Sequence, residues 1–382
     1  MARGNLRVIC HALVDRVLFE GRRAVGVAFS RGGKTCHAKA GREVILSAGS
    51  IMSPVILKRS GIGGATELGR HGIAVLADRR LVGEGLMDHL EMYLQQECTQ
   101  PVSLYGSMGL LAKAQIGLRW LMTRQGLGAT NHFETGGHAR SRAGIVYPDI
   151  QFHFLPLAIS YDGKALASGH GFQVHVGTKR SKSRGWVRLR DARPNSLPQV
   201  QFNYMTHQDD WTEFRACIRL TREIFRQPAL APYAGRELAP GAGAVSDDDL
   251  DDFIRRKVES AYHPCGTCRM GEDARFVTDP QARVRGVEGV RVVDASLMPQ
   301  ATAGDLNAPT IMLAERCADL IRGQSLAPTA DAPLLASADW AVAQRSPQVG
   351  RDYATDRSAL RQALLAKALG HPAPDPIAPA GM

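Results

Sequence analysis

Aromatic residues are scarce: Phe, Trp and Tyr together make up 6% of the 382 positions. Long apolar runs are missing; nowhere do about 18 such residues follow one another, which excludes a membrane-spanning helix. Met1 to Val8 holds no apolar core of the kind a secretory leader needs, so no such leader is expected. No internal repeat is visible. The seven cysteines (Cys10, Cys36, Cys98, Cys217, Cys265, Cys268 and Cys317) are odd in number, scattered and mostly set in apolar stretches. That excludes a disulfide framework and predicts reduced thiols in a cytosolic enzyme. Cys265 and Cys268 make a CxxC, but no second pair completes a zinc site, so no metal is expected. Nor does the motif follow a strand at the head of a βαβ unit, as a thioredoxin-like dithiol requires.

What is present is ordinary in bulk. Hydrophobic residues reach 44% and charged ones 22%, and the length provides for two or three domains. Against 37 Asp+Glu stand 47 Lys+Arg, a formal net charge of +10. The basic residues form no stripe. Their densest run, Lys179-Arg180-Ser181-Lys182-Ser183-Arg184, reads as a solvated loop beside strands. The few aromatics do not alternate with the basic residues as a base-stacking platform would require, so nucleic acid is not an expected partner.

Leu6 to Ala12, Val14 to Phe19, Ala24 to Phe29 and Thr35 to Ala40 read as strands, with glycine turns at 20–22 and 31–34. Val44-Ile45-Leu46 is a short continuous apolar run of the buried-strand type. It ends in Ser47-Ala48-Gly49-Ser50, and Ser53-Pro54 is expected to open a helix as N-cap and first residue. That helix stops at Ser60-Gly61, where glycine permits a left-handed cap. Asp88 to Gly128 reads as mostly helical, with Leu110 to Met122 amphipathic. Residues 149–155 and 171–176 alternate with period two, and 186–189 and 291–293 are further strands. Helices are expected over 209–226, 247–258 and 309–321. After Gly323 the chain turns alanine- and proline-rich and reads as a disordered tail in which 358–369 could form a helix.

Two stretches could carry chemistry. In Tyr262-His263-Pro264-Cys265, the proline fixes a non-helical backbone around His263. Two readings of His263 stay open: a positioned imidazole, or a loop histidine satisfied by a backbone bond. In Val293-Asp294-Ala295-Ser296 a strand runs into a polar turn, and Gly304-Asp305-Leu306-Asn307-Ala308-Pro309-Thr310 leads into a helix. Both could edge a cofactor or be plain connections.

Gly49-Ser50-Ile51-Met52-Ser53-Pro54, running on to Gly61-Ile62-Gly63, resembles a signature of the glucose-methanol-choline (GMC) flavin oxidoreductases. His263-Pro264-Cys265-Gly266-Thr267-Cys268 and Val293-Asp294-Ala295-Ser296-Leu297-Met298-Pro299 are similar to that family's C-terminal blocks. Asp88-His89-Leu90-Glu91-Met92-Tyr93, Thr130-Asn131-His132-Phe133-Glu134, Gln151-Phe152-His153-Phe154 and Phe202-Asn203-Tyr204-Met205 resemble segments of its choline-oxidising members. The likeness covers roughly residues 4 to 323 and implies an α/β fold with an α+β substrate domain. It implies FAD as cofactor and oxidation of an alcohol, choline above all, to betaine aldehyde in glycine betaine synthesis, with hydride passing to flavin N5. The acceptor of the electrons is expected to be something other than oxygen and is otherwise unknown. The expected compartment is the cytoplasm, with peripheral attachment to the inner membrane left open.

The resemblance also assigns roles. His263 matches the catalytic histidine, and an imidazole with an ordinary pKa of about 6.5 suits a base at working pH. Asp305 stands where an asparagine that holds the substrate oxygen is expected. An ionised aspartate accepts but cannot donate; it could instead stay protonated, or hold His263 charged. Val14 is implied to lie near the adenine, Asp294 and Ala295 near the pyrophosphate and ribitol, and Asn307, Ala308, Pro309 and Thr310 near the isoalloxazine. Glu134 with Phe133 is the implied seat of a quaternary ammonium, and His153 is implied to lie near the alcohol. Glu134 reads equally as a surface carboxylate, and His153 as a core residue.

Family members open with a strand, GxGxxG and a helix that grip the ADP half of FAD, and this sequence holds no GxGxxG. It therefore resembles the C-terminal portion of such an enzyme. The expected parts are a partial FAD-binding domain (1–87), an antiparallel-sheet substrate domain (88–250), a C-terminal FAD and catalytic segment (251–323) and the tail (324–382). Val44 to Leu46 and Arg291 to Val293 are expected to keep open edges. Two rival expectations are another primary-alcohol dehydrogenase of the family and a non-catalytic remnant.

Overall fold

The computed structural model describes residues 3–133, 135–159, 169–324 and 339–344. Two compact units divide the chain: Met1–Ser141 with Tyr147–Leu334, and Arg142–Val146 with Leu335–Met382. In the second, the Gly144 N–H donates to the Trp340 carbonyl at 2.9 Å. The possible helix at 358–369 lies outside the described residues.

Turn chemistry sets the first sheet. Gly21 (φ 57°), Gly32 (φ 55°) and Gly33 (φ 74°) reverse the chain twice. β1 (Leu13–Glu20), β2 (Arg23–Arg31) and β3 (Lys34–Lys39) therefore form an antiparallel meander. Residues 6–12 do not join it, contrary to their pattern. Leu6 and Val8 are exposed and no strand faces them among the described residues, and alternation without a partner makes no strand.

β4 (Val44–Leu46) leads into α1 (Gly49–Arg59), which starts earlier than expected and puts Pro54 in its interior. The surroundings make this tolerable. Pro54 lacks the N–H that would bond the Ser50 carbonyl, and the Thr267 hydroxyl donates to that oxygen instead at 2.6 Å. Ser53 is no N-cap; its hydroxyl accepts from the Ala48 N–H at 3.0 Å and donates to Asp294 at 2.5 Å. Gly61 (φ 82°) ends the helix, and a side chain there would meet the Ala74 carbonyl. β5 (Ile62–Gly63) and β6 (Ala77–Asp78) pair in parallel around α2 (Ala65–Arg70).

β7 (Glu84–Leu86) is followed by β8 (Leu90–Cys98), a nine-residue strand where a helix was expected. Leu90, Met92 and Leu94 are buried in an apolar core, and the strand pairs with residues far along the chain; such long-range packing outweighs local propensity. Only α3 (Leu110–Thr123) keeps the helical expectation for this stretch. β9 (Thr135–Ala139), β10 (Ile150–Leu155) and β11 (Gly171–Thr178) follow, then β12 (Gly185–Arg188) and β13 (Gln199–Gln201), which form a small sheet with β7. α4 (Gln208–Phe225) precedes β14 (Ala234–Ala239). α5 (Asp247–Lys257) opens on a capping box between Ser246 and Asp249, and β15 (Glu259–Ser260) pairs with β8. The large antiparallel sheet runs β14-β8-β11-β10-β9, and Phe214, Ile218, Leu250 and Ile254 of α4 and α5 pack with its apolar residues.

β16 (Val290–Val292) returns across the chain to pair in parallel with β4, Val290 opposite Val44. The far side of β16 is taken by residues 282–284, so the open edge is that of β4 alone among the described residues. α6 (Asn307–Arg322) ends at Gly323 (φ 71°). The fold is thus mixed α/β with an antiparallel substrate-side sheet, as its sequence implied. Among the described residues no helix is long and apolar enough to cross a membrane.

Candidate active site

β10 and β11 carry the floor of the candidate site. They pair in register with His153 opposite His175, each two residues beyond a glutamine on the same face. Gln173 Oε1 accepts from Gln95 at 2.7 Å and from the Ile159 N–H at 3.0 Å, so its amide nitrogen donates to His175 Nε2 at 2.8 Å. His175 Nδ1 in turn reaches Glu91 at 3.3 Å. Gln151 repeats the device, with its amide nitrogen 2.7 Å from His153 Nε2. Glu91, Gln151, His153 and His175 line a cavity of about 290 Å³ together with His89, Asn131, Phe133, Lys179, His263 and Asp305.

His263 enters the cavity from a strained turn: Tyr262 before it has φ 62° and Pro264 follows. Its backbone N–H donates to Asp88 Oδ1 at 2.9 Å, and its Nδ1 lies 3.0 Å from His89 Nδ1. Burial lowers its pKa from the ordinary value; Asp305 opposes that and the Lys179 charge adds to it. A neutral imidazole is the form a base needs.

Asp305 is bound on two sides. Gln151 Nε2 donates to both carboxylate oxygens at 3.1 Å, and Lys179 Nζ lies 3.3 Å from Oδ1. Burial works against its charge, but Lys179 and the Gln151 amide outweigh it and hold the carboxyl below its usual range. Asp305 is therefore an anion, and of the three states its sequence left open the geometry favours this one. The Gln151 Oε1 atom is buried without a partner among the described residues.

Lys179 was not singled out as functional, because it begins a basic run that reads as a solvated loop. That reading fails at this residue: Lys179 is 3% exposed and part of the cavity wall, its N–H bonded to Asp149 at the end of β11. Its period-two spacing from His175 and Gln173 was the signal available. Glu91, likewise unflagged, stands two residues beyond His89 in the segment that proved to be β8.

Of the residues singled out, His263, Asp305, His153 and Phe133 share this cavity. Phe133 stands edge-on to His175 with ring centroids 5.1 Å apart, and to His153 at 6.4 Å. Glu134 lies outside the described residues. Val14 lies elsewhere, in a furrow with Val27, Leu46, Ser47, Ala48 and Ile56. Asp294 is buried and engaged, accepting from the Gly49 N–H at 2.9 Å, from Ser53 and from the Ser296 N–H. Asn307 and Ala308 are exposed in the first turn of α6, and Ala295, Pro309 and Thr310 are half-buried.

A flavin nucleotide finds matching groups along this line. The buried hydroxyl of Ser50, next to the Gly49 that bonds Asp294, has no partner among the described residues, and α6 starts without a side-chain cap next to Asp305. These are free polar groups of the kind that an oxygen- and nitrogen-rich cofactor satisfies. Cys265 and Cys268 contribute no ligand; both are buried, and burial pushes the Cys265 thiol up to about 12. Among the described residues no group of three acidic, His or Cys side chains could hold a metal ion.

A cavity lined by histidines on an antiparallel sheet, and a parallel strand pair whose first strand runs into a helix, are the parts that the resemblance to flavin-linked oxidoreductases implies. Two models described as GMC oxidoreductase match residues 1–91 and 181–314, and the chain belongs to that family. It is 52% identical to the oxygen-dependent choline dehydrogenase of Brucella anthropi, over 90% of this chain and 63% of the relative. The protein of that name from Yersinia pseudotuberculosis is 54% identical, over 84% of this chain and 57% of the relative. The chain thus spans less than two thirds of the length of these curated relatives. Among solved structures, the pyridoxine 4-oxidase from Mesorbium loti superposes with a TM-score of 0.73 at 28% identity, covering 85% of this chain and 60% of that one. An FAD-dependent oxidoreductase from Chaetomium thermophilum gives 0.74 at 24% identity, covering 84% and 62%, a likeness of fold alone.

Proposed function

We propose that this chain carries the substrate side of an FAD-dependent oxidation of choline to betaine aldehyde. The observation that carries the reading is the single cavity in which a neutral base, His263, an anchored anion, Asp305, a carboxylate, Glu91, and the faces of Phe133 and His175 stand together. A quaternary ammonium is held by aromatic faces and a carboxylate, which Phe133, His175 and Glu91 supply. The names of the relatives from Brucella anthropi and Yersinia pseudotuberculosis point the same way.

The residues divide the work. His263 takes the hydroxyl proton of the alcohol at a ring nitrogen. Asp305 cannot donate to the oxygen left behind, so the donor beside it is the Lys179 ammonium, held by Asp305, which in turn accepts from Gln151. Asp294, Ala295, Asn307, Ala308, Pro309, Thr310 and Val14 are the residues that would hold FAD. When bound, FAD supplies the acceptor for the hydride of the alcohol carbon.

One observation favours a second reading, a neutral primary alcohol as substrate: the Lys179 cation lies in the same cavity and repels another cation. The test supplies FAD to the 382-residue chain and compares choline with 3,3-dimethylbutan-1-ol, its uncharged carbon analogue, by oxygen uptake and by dye reduction. The choline reading expects a higher kcat/KM for choline, and an E91Q variant that loses roughly tenfold on choline alone. Equal rates favour the second reading. A protein that leaves desalting colourless, or a bound flavin that neither alcohol bleaches, overturns both.

A further inference from the structure

His89 has no evident part in the proton transfer, yet it is 1% exposed and touches the base. Its Nε2 lies 2.9 Å from the Thr302 carbonyl oxygen and its Nδ1 lies 3.0 Å from His263 Nδ1. The rings meet edge-on, centroids 5.1 Å apart at 85°. A carbonyl oxygen brings no proton, so His89 must carry one on Nε2.

The second step concerns charge. Were His89 protonated on both nitrogens, His263 Nδ1 would have to accept. At this depth, with the Lys179 cation close by, the charged form is disfavoured; burial above all, then Lys179 and His263, push His89 down to about 3. His89 is therefore neutral, and its Nδ1 is a bare acceptor. Only a proton on His263 Nδ1 can then complete the 3.0 Å contact, which leaves the lone pair of His263 on Nε2.

We propose that His89 is a positioning residue that fixes the tautomer of His263: the Thr302 carbonyl, acting through His89, selects the Nδ1–H form and leaves Nε2 as the basic atom. This rests on the reading of His263 as the base. The backbone clamps the pair. Asp88, next to His89, accepts from the His263 N–H, from Ser260 at 2.5 Å and from the Tyr204 hydroxyl at 2.6 Å. The Ala261 N–H donates to the His89 carbonyl at 2.9 Å. Of the charged groups around His263, namely Asp305, Lys179, Asp88 and Glu91, only Asp88 hydrogen-bonds it among the described residues, and that through the backbone. Nothing else described here sets the ring proton, and which ring nitrogen is protonated follows the bond the other one makes.

The test needs no flavin. The full chain is labelled with ¹⁵N-histidine, and two-bond ¹H–¹⁵N spectra report which ring nitrogen of each of the 12 histidines carries a proton. The His263 signals are those missing from H263N. The expected result is a neutral His263 with the proton on Nδ1, retained in H89Q, whose amide can donate to Thr302 and accept from His263, and shifted to Nε2–H in H89L. A wild-type His263 protonated on Nε2 overturns the proposal, whether or not H89L folds. So does an unchanged tautomer in an H89L chain whose other histidine signals stay in place. Failure of the base reading looks different: His263 is an Nδ1–H tautomer, yet H263N oxidises alcohol as fast as the wild type.

Discussion

Two sheets of the first unit are finished to different degrees. In the substrate-side sheet, β8 and β11 have partners on both edges, and α4 and α5 pack on its apolar residues. The parallel pair β4–β16 has no such completeness: β16 is covered by residues 282–284, while β4 leaves its outer edge unpaired and Ile45 44% exposed. Parallel strands ordinarily lie buried on both faces. The difference is between a sheet paired along both edges of its central strands, next to the cavity that holds His263, and a strand pair left open on one edge.

The sharpest way to exploit that contrast is to remove chemistry from the finished side without touching its frame. H263A should lower kcat/KM for the alcohol by roughly 10² to 10⁴, the usual worth of a positioned base, while losing only about 1 kcal/mol in urea unfolding from the unpaired His89 nitrogen. A drop in midpoint to match would make His263 a structural residue.

Next comes a buried ion pair that ties α1 to the small sheet of β7, β12 and β13. Lys58 of α1 is fully buried, and its ammonium donates to both Glu67 oxygens and, at 2.7 Å, to the Val187 carbonyl of β12. K58A leaves these acceptors buried and unpaired and should cost roughly 3–4 kcal/mol in urea unfolding. An unchanged urea midpoint would mean that the pair adds nothing to stability.

A pH experiment probes the finished side alone. Glu213 of α4 is pushed up to about 7, by burial first and then by Asp149 and Asp210. The folded chain holds that proton more tightly than the unfolded one, so the contribution is full below the ordinary value of 4.5 and is lost as pH rises through about 7. Relative to E213Q, the wild type should lose about 3 kcal/mol between pH 4 and pH 8. Parallel stability curves for the two would refute it. The smallest effect is expected at the unfinished edge, where I45K should alter stability by less than about 0.5 kcal/mol while reducing self-association at high concentration.

Legibility in the sequence followed the range of the interactions. Residues 149–155 and 171–176 alternate because one face meets the apolar core and the other carries the buried polar side chains of the cavity floor, and that pattern is local. The capping box at Ser246 and the glycine at 61 are local too, and both ends fell where they were read. β8 was misread because its partners lie far along the chain, and Pro54 because the compensating Thr267 hydroxyl is 213 positions away. In the site, His263, Asp305, His153 and Phe133 were legible through resemblance. Lys179 was hidden in a basic run, and His89 and Glu91 in a segment taken for helix. No spacing rule pairs Lys179 with Asp305 across 126 positions.

The pairing of β4 with β16 also dictates an order of events as the protein is made. Val44 meets Val290, so a ribosome must deliver almost the whole folded region before the first strand of that pair finds its partner. The substrate-side sheet, closed by residues 90–260, is complete in sequence earlier and can condense while the amino-terminal meander waits. Closing so long a loop is slow, and the apolar strand at 44–46 spends that interval uncovered. Translation speed and chaperone capture should therefore bear on the yield of this chain through its first fifty residues, well away from the chemistry.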